Sequence, residues 1–85
     1  MRIHCLGGGL IGSFVTRKLH EAGHNVHLYD VVPRTTSATF HLEDALTADH
    51  SEADFLVNMV PGSIGHQVLK GLYAAGHRIV DLSFS

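Results

Sequence analysis

The stretch Arg2-Ile-His-Cys-Leu-Gly-Gly-Gly-Leu-Ile-Gly12 decides the fold of this chain. Three glycines in it, at positions 7, 9 and 12, follow a short apolar run in the spacing Gly-x-Gly-x-x-Gly. Gly7 permits a tight turn out of a strand, Gly9 permits a pyrophosphate to approach the backbone, and Gly12 lets the following helix pack closely. The N–H groups and dipole at the start of that helix form an anion site. The stretch therefore predicts a dinucleotide-binding turn.

The flanking residues predict a strand, a helix and a second strand. Residues 2–6 are typical of a buried strand, and residues 10–22 have apolar side chains on one helical face, at 11, 14, 15, 19 and 22. Gly23 is placed to end the helix with a left-handed cap, and residues 25–30 follow as the second strand. Asp30 lies 18 residues beyond Gly12, near the distance at which a carboxylate accepts hydrogen bonds from an adenosine ribose. Its charge would repel a 2′-phosphate, which favours NAD over NADP.

The chain repeats this pattern at an offset of 53 residues. Residues 1–30 laid over 54–83 pair Gly9 with Gly62, Gly12 with Gly65, and the Ala-Gly-His triplet at 22–24 with that at 75–77. Doubly wound domains are built from two such halves. We therefore predict a truncated Rossmann-like doubly wound parallel sheet of about five strands, in the order 3-2-1-4-5, with one main helix on each face. Residues 1–85 would form a single partial dinucleotide-binding domain with halves 1–30 and 54–83.

The segment between the halves is less regular. Residues 33–37 are typical of a polar turn, 38–42 of a third strand followed by Glu43-Asp44, 45–53 of a short crossover, and 54–60 of a strand. The turn leaves no room for the helix that normally joins the second and third strands. Either residues 33–39 cross in an extended path, or the third strand pairs differently.

Composition limits the classes of function. The 85 residues have 45% hydrophobic content and a formal charge of −2, which indicates one small domain. The absence of a basic patch argues against nucleic-acid binding, and no apolar run is long enough for a membrane span or follows the pattern of a signal peptide. Cys5, the single cysteine, is expected to be a small buried hydrophobe in a reducing compartment, most simply the cytoplasm.

Several segments together resemble the cofactor domain of the saccharopine dehydrogenase family, which includes saccharopine, lysine and carboxynorspermidine dehydrogenases. The resemblance covers both halves, about 60 of the 85 residues, and its Val-Pro-Gly and Val-Asp-Leu-Ser-Phe motifs are more specific than the glycine turn. The segments are Gly-Gly-Gly-Leu-Ile-Gly at 7–12, Asp30, Asp-Phe-Leu-Val-Asn-Met-Val-Pro-Gly at 54–62, and Ala-Gly-His-Arg-Ile-Val-Asp-Leu-Ser-Phe at 75–84.

The resemblance implies a cofactor site and a class of reaction. In that family the chemistry is hydride transfer between a nicotinamide cofactor and an amine or imine derived from an amino acid. The chain ends at Ser85, where the family continues into a substrate domain, so we expect cofactor binding without catalysis unless a partner or a C-terminal domain supplies the remainder. The implied contacts are Gly7, Gly9, Leu10, Ile11 and Gly12 to the pyrophosphate, Asp30 to the ribose, Asp44 near the adenine, and Val60, Pro61, Gly62, Ser83 and Phe84 beside the nicotinamide.

Other interpretations remain open. Arg34, four residues past Asp30, could receive a 2′-phosphate and make NADP the cofactor. A regulatory NAD(H)-sensing Rossmann module, as in the cytosolic gating domains of potassium transport systems, shares the glycine turn and the acidic residue. A minimal fold that binds nothing is a third alternative. The unpaired edge of the sheet also makes a homo-oligomer through the fifth strands plausible.

The eight histidines do not predict a metal site. His20-Glu-Ala-Gly-His24 matches the H-E-x-x-H zinc motif, but Gly23 is expected to end the helix, which separates the two rings. His66 is expected to be a helix-face residue near the nicotinamide side. Asp81, inside the fifth strand, would need a hydrogen-bonding partner if buried.

Overall fold

The structure, a computed structural model, describes residues 1–82. Strands and helices alternate along the chain, except that the second, third and fourth strands follow one another without a helix between them. The elements are β1 (Arg2–Leu6), α1 (Leu10–Glu21), β2 (Asn25–Asp30), β3 (Thr39–Leu42), β4 (Phe55–Asn58), α2 (Gly62–Ala74) and β5 (Ile79–Asp81).

The five strands form one sheet in the order β3-β2-β1-β4-β5, and all four pairings are parallel. Leu6, at the end of β1, lies between Tyr29 of β2 and Asn58 of β4. The chain leaves β1 toward one edge of the sheet and leaves β4 toward the other, so the order reverses between these two strands. The predicted fold class is confirmed, with its reversal point at the carboxyl ends of β1 and β4.

Each face of the sheet packs against one helix, as predicted. Side chains alternate between the faces along every strand. The face under α1 buries Ile3, Cys5, Val26, Leu28, Val57 and Met59, with Val15 and Leu19 of the helix packed against them. The face under α2 buries Leu6, Tyr29 and Leu56 with Ala45, Val68 and Leu72.

The buried face of α1 is narrower than the apolar pattern predicted. Val15 and Leu19 pack on the core, but Ile11 is 43% exposed and Phe14 is 53% exposed. Ile11 faces the cavity at the carboxyl ends of the strands. Phe14 borders an open groove lined by residues 35–37 of the β2–β3 connection, because residues 31–38 form no helix that would cover this flank of α1. Phe14 instead lies under the charged groups of Arg17 and Lys18, 5.7 and 5.6 Å from its ring centre.

The connection between β2 and β3 takes the extended path that the sequence left as one alternative. Residues 31–38, all described, contain no helix, and β3 pairs parallel to β2 with Asp30 opposite Leu42. Residues 43–54 then return to β4 through turns alone. Within residues 1–82, neither helix has the length and apolar character needed to cross a membrane.

Candidate functional site

The glycine turn is fixed by the backbone around it. Gly7 has a φ of +95°, a left-handed conformation that favours glycine, and its N–H donates to the Tyr29 carbonyl oxygen at 2.9 Å. A Cβ at Gly7 would lie 3.0 Å from the Met59 backbone. A Cβ at Gly12 would overlap the carbonyl oxygen of Gly7 itself, so this glycine allows contact between the helix and its own preceding turn.

The start of α1 presents free backbone donors. Gly9 precedes the helix, has open space where a Cβ would stand, and supplies no side-chain cap. The first intrahelical bond runs from the Ser13 N–H to the Gly9 carbonyl oxygen at 2.7 Å, so the N–H groups of residues 10–12 lie before it. No acidic side chain occupies the first turn. This helix end can therefore receive an anion.

Asp30 is joined to the same turn. Its Oδ2 accepts from the Gly8 N–H at 2.8 Å and from Nε of Arg34 at 3.0 Å, and its Oδ1 accepts from the Val32 N–H at 3.0 Å. Burial alone would raise the pKa of the Asp30 carboxyl. The backbone donors of Val32 and Gly8, together with the Arg34 guanidinium, outweigh that effect and leave the pKa below its ordinary value. A negative charge is thus held beside the turn at neutral pH.

A cavity of about 530 Å³ lies at the carboxyl ends of the strands. Eight of the residues expected at a cofactor site line it: Gly7, Gly9, Leu10, Ile11, Asp30, Asp44, Val60 and Pro61. Gly12 is buried behind the turn, Gly62 does not line the cavity, and Ser83 and Phe84 lie outside the described residues. The other lining residues are Tyr29, Val31, Arg34, Ala45, Met59, Ile64, Val68 and Leu82.

The two ends of the cavity differ in polarity. Asp30, Arg34 and Asp44 bring charge to the end beyond β2 and β3. At the opposite end, Met59 and Val60 follow β4, and Ile64 and Val68 come from α2, so that end is apolar. A ligand that fills this cavity would therefore need a polar end and a less polar end.

The turn after β4 is positioned by Asn58, a buried residue that the sequence did not single out. Its Nδ2 donates to the Gly65 carbonyl oxygen at 2.9 Å and to Oδ1 of Asp81 at 3.2 Å, and its Oδ1 accepts from the Val60 N–H at 3.3 Å. Asp81 accepts this bond although it is exposed, so it is not the buried carboxylate for which a partner was expected. These bonds tie the apolar wall of the cavity to α2 and β5.

Four histidines form a cluster that the sequence did not predict. His4, His27 and His50 are buried and His41 is half-buried. The rings of His4, His41 and His50 lie against Tyr29, and His27 contacts the rings of His4 and His41. The register explains the cluster, because His4 lies opposite His27, and Tyr29 lies opposite His41 on neighbouring strands. The sequence shows that residues such as His27 and Tyr29 alternate along one strand and so share a face of the sheet. Only the pairing of neighbouring strands, however, brings the rings together. His50 comes from the crossover and had no such signal.

The H-E-x-x-H motif does not form a site. His20 lies in α1, and His24 lies beyond the end of that helix. Over residues 1–82, no three or more His, Cys, Asp or Glu side chains are grouped so that they could hold a metal ion.

Comparison with known proteins gives structural neighbours only. No family profile and no curated protein matches the sequence. A candidate NADH-flavin reductase from Streptococcus pneumoniae TIGR4 superposes with a TM-score of 0.81 at 12% identity, covering 98% of this chain and 46% of that one. A protein of the D-isomer specific 2-hydroxyacid dehydrogenase family from Klebsiella pneumoniae 342 gives 0.73 at 17%, covering 98% and 29%. A structural-genomics target from Lactobacillus casei gives 0.71 at 20%, covering 99% and 47%.

These likenesses establish the fold. The chain spans less than half the length of each of the three structures. None of the three descriptions mentions saccharopine dehydrogenase, so that resemblance rests on the sequence motifs alone.

Proposed function

We propose that this chain is the nicotinamide dinucleotide-binding part of an oxidoreductase. The proposal rests on one observation: the glycine turn, the N–H groups at the start of α1 and the Asp30 carboxylate all lie at one cavity. That cavity of about 530 Å³ adjoins the reversal point of a parallel sheet, the place where ligands of open α/β sheets bind. Two of the structural neighbours are described by names of oxidoreductases, which agrees with this class of function.

The proposed orientation of the cofactor follows from the polarity of the cavity. The pyrophosphate binds the N–H groups at the start of α1, beside Gly7 and Gly9. The adenosine ribose binds Asp30, and the adenine lies near Asp44. The nicotinamide lies at the apolar end beside Val60 and Pro61. Gly62, Ser83 and Phe84 are further candidates for that end, by the resemblance described above.

The Asp30–Arg34 pair bears on the choice between NAD and NADP. A ribose hydroxyl that donates to Asp30 has to share Oδ2 with Arg34 Nε, which lies 3.0 Å away. A 2′-phosphate would instead bind the Arg34 guanidinium and be repelled by Asp30. Because Asp30 also holds the Gly8 N–H, its charge stays in the site, and we propose NAD as the preferred cofactor.

The substrate is proposed from the sequence motifs. The Val-Pro-Gly and Val-Asp-Leu-Ser-Phe segments favour hydride transfer to or from an amine or imine of an amino-acid derivative. The groups that would bind such a substrate and transfer protons are not among the residues assigned here to the cofactor. They belong to a further domain or partner in this proposal.

Calorimetric titration with NADH and NADPH tests the proposed cofactor site. Asp30→Asn keeps an oxygen for the Gly8 N–H and removes the charge, so the turn is retained. We expect NADH to bind the wild type more tightly than NADPH, and Asp30→Asn to weaken NADH binding by about tenfold, the worth of a hydrogen bond to a charged group. Glu21→Gln, which removes an equal charge from the far end of α1, is the control and leaves binding unchanged.

The outcomes separate the parts of the proposal. Failure of the folded wild type to bind either cofactor would overturn the proposed function. Tighter binding of NADPH would keep the nicotinamide dinucleotide function and reverse the proposed preference.

A further inference from the structure

One wall of the cavity is built by a crossover without a helix. Asp44 and Ala45 line the cavity and belong to residues 43–54, which join β3 to β4 through turns. Ala45 is buried in the core under α2, and Leu46 lies against Gly71, where an added Cβ would come 2.6 Å from Leu46 Cδ1. The backbone also holds this wall, since the Glu43 N–H donates to the Asp30 carbonyl oxygen at 3.0 Å. Side-chain bonds from buried histidines add a second connection to the sheet.

The bonds form a continuous chain from the sheet to the wall. Nε of Arg2 donates to Nε2 of His4 at 2.9 Å, and Nδ1 of His4 lies 2.7 Å from Nδ1 of His50. Nε2 of His50 lies 2.6 Å from the Ala45 carbonyl oxygen. His4 is fully buried and His50 is buried with it.

Only one arrangement of protons satisfies all three bonds. Arg2 always donates, so Nε2 of His4 is an acceptor and the proton of a neutral His4 is on Nδ1. Nδ1 of His50 then accepts, and the proton of a neutral His50 is on Nε2, where it donates to Ala45. A proton added to either ring would place two donors against each other, at Arg2–His4 or at His4–His50.

We infer that His4 and His50 are positioning residues of the cavity: as an uncharged relay they hold the Asp44–Ala45 wall in place, and protonation of the pair releases it. The inference rests on the proposed function where dinucleotide affinity is the readout. A second histidine pair reaches the same segment, since Nδ1 of His27 lies 2.8 Å from Nε2 of His41, and Nδ1 of His41 lies 3.5 Å from the Glu43 carboxylate.

The groups around the relay favour its neutral form. Burial, followed by the charges that His50, Arg2, His27 and His41 can contribute, lowers the pKa of His4 from 6.5 to about 4. Burial also lowers the pKa of His50.

Other neighbours of His50 act in both directions. The Ala45 carbonyl oxygen and the carboxylates of Asp49 and Glu43 favour a charged His50, whereas His77 opposes it. Glu52 neutralises part of the Arg2 charge through an ion pair at 3.0 Å, and Tyr29 packs on the His4 ring with 4.9 Å between ring centres. The pKa values of both His4 and His50 are therefore lowered, and both rings are neutral at neutral pH.

The direct test reads the proton positions. Long-range 1H–15N correlation spectra of the 15N-labelled full chain at about pH 7.5 distinguish the two neutral tautomers of each histidine from the charged ring. We expect the Nδ1–H tautomer for His4 and the Nε2–H tautomer for His50. As pH falls, the backbone amides of Ala45 and Leu46 should shift in step with the two rings. The opposite tautomers, or a charged ring at neutral pH, would overturn the relay.

The second test measures NAD⁺ affinity at about pH 7.5 and about pH 5. At the lower pH the closed wall still keeps His4 mostly neutral, whereas a released His4 with the ordinary pKa of 6.5 would be protonated, so acid favours release. NAD⁺ is the probe because NADH decomposes in acid. We expect the wild type and the control His20→Gln, on the exposed surface of α1, to lose about tenfold on acidification, because the fraction of molecules with a closed wall falls. His50→Gln keeps one acceptor and one donor without titrating near neutrality. It should stay within about threefold of the wild type at the higher pH and lose clearly less on acidification, because only His4 of the pair is then left to titrate.

His50→Leu separates positioning from general stability. It removes both bonds, and we expect weak binding at both pH values in a protein that remains folded by circular dichroism. If His50→Leu does not fold, the comparison of His50→Gln with the wild type and His20→Gln still decides the matter. Equal acid losses in these three proteins would overturn the inference. If the wild type binds no NAD⁺ at neutral pH, the proposed function fails, and the tautomers and the amide shifts of residues 45 and 46 decide the relay alone.

Discussion

Replacing Gly12 with alanine places a methyl group where the structure has no room for one. The new Cβ would overlap the Gly7 carbonyl oxygen and lie 2.9 Å from the Gly7 carbonyl carbon. Both atoms are backbone, and the turn cannot move away freely. The Gly7 N–H donates to the Tyr29 carbonyl oxygen at 2.9 Å, and the Met59 backbone lies close to Gly7 on the other side.

The size of the effect follows from two opposing contributions. Overpacking of a closely packed site costs about 1–3 kcal/mol, and more where backbone has to shift. Alanine has a higher helix propensity than glycine, which stabilises the helix by up to about 1 kcal/mol. We expect a net loss of about 2 kcal/mol or more in the free energy of unfolding, which lowers Tm by roughly 10 °C in a domain of this size.

The matched control is Gly9→Ala. Nothing lies within 4 Å of a Cβ at Gly9, and its φ of −64° suits any residue. Alanine is a poorer helix cap than glycine, but it reduces the freedom of the unfolded chain, so stability should stay within about 0.5 kcal/mol. Urea unfolding followed by circular dichroism measures both variants. If Gly12→Ala is no less stable than Gly9→Ala, the close contact between helix and turn is wrong.

Two further predictions concern stability. The pKa of His4 is about 4 in the fold against an ordinary 6.5, so the unfolded chain binds more protons between these values. The contribution of His4 to the free energy of unfolding is therefore complete above about pH 6.5, and up to about 3 kcal/mol of it is lost as the pH drops toward about 4. Urea midpoints that do not change between these pH values would contradict this prediction. Phe14→Ser should change stability by no more than about 0.5 kcal/mol, because the ring is 53% exposed; a larger loss in thermal unfolding would place Phe14 in the core, as the apolar spacing alone suggested.

The sequence predicted those parts of the fold that depend on local pattern. The bounds of β1 and β2 follow from apolar runs between turn residues, and Gly23, with a φ of +92°, ends α1 as expected. The strand order followed from the internal repeat and the glycine turn. The exposure of Phe14 could not be predicted from helical spacing, since it depends on the absence of a helix between β2 and β3.

Some residues of the candidate site could likewise be predicted from local pattern, and others could not. Gly7, Gly9 and Asp30 carry their own signal in spacing, and they meet at one cavity. The histidine cluster depends on the register between strands and on the path of residues 43–54, which no local pattern specifies. His50 therefore resembled a surface residue in the sequence and is buried against His4 in the structure.

The position of Cys5 has a practical consequence for following this molecule in solution. The thiol is fully buried in the middle of the central strand, and burial raises its pKa. Since it is the single cysteine of the chain, reaction with an alkylating reagent requires α1 or a neighbouring strand to separate from β1. Its rate of labelling thus measures how often the centre of the sheet opens, and a bound ligand that ties β1 to β4 would be detected as slower labelling without any added probe.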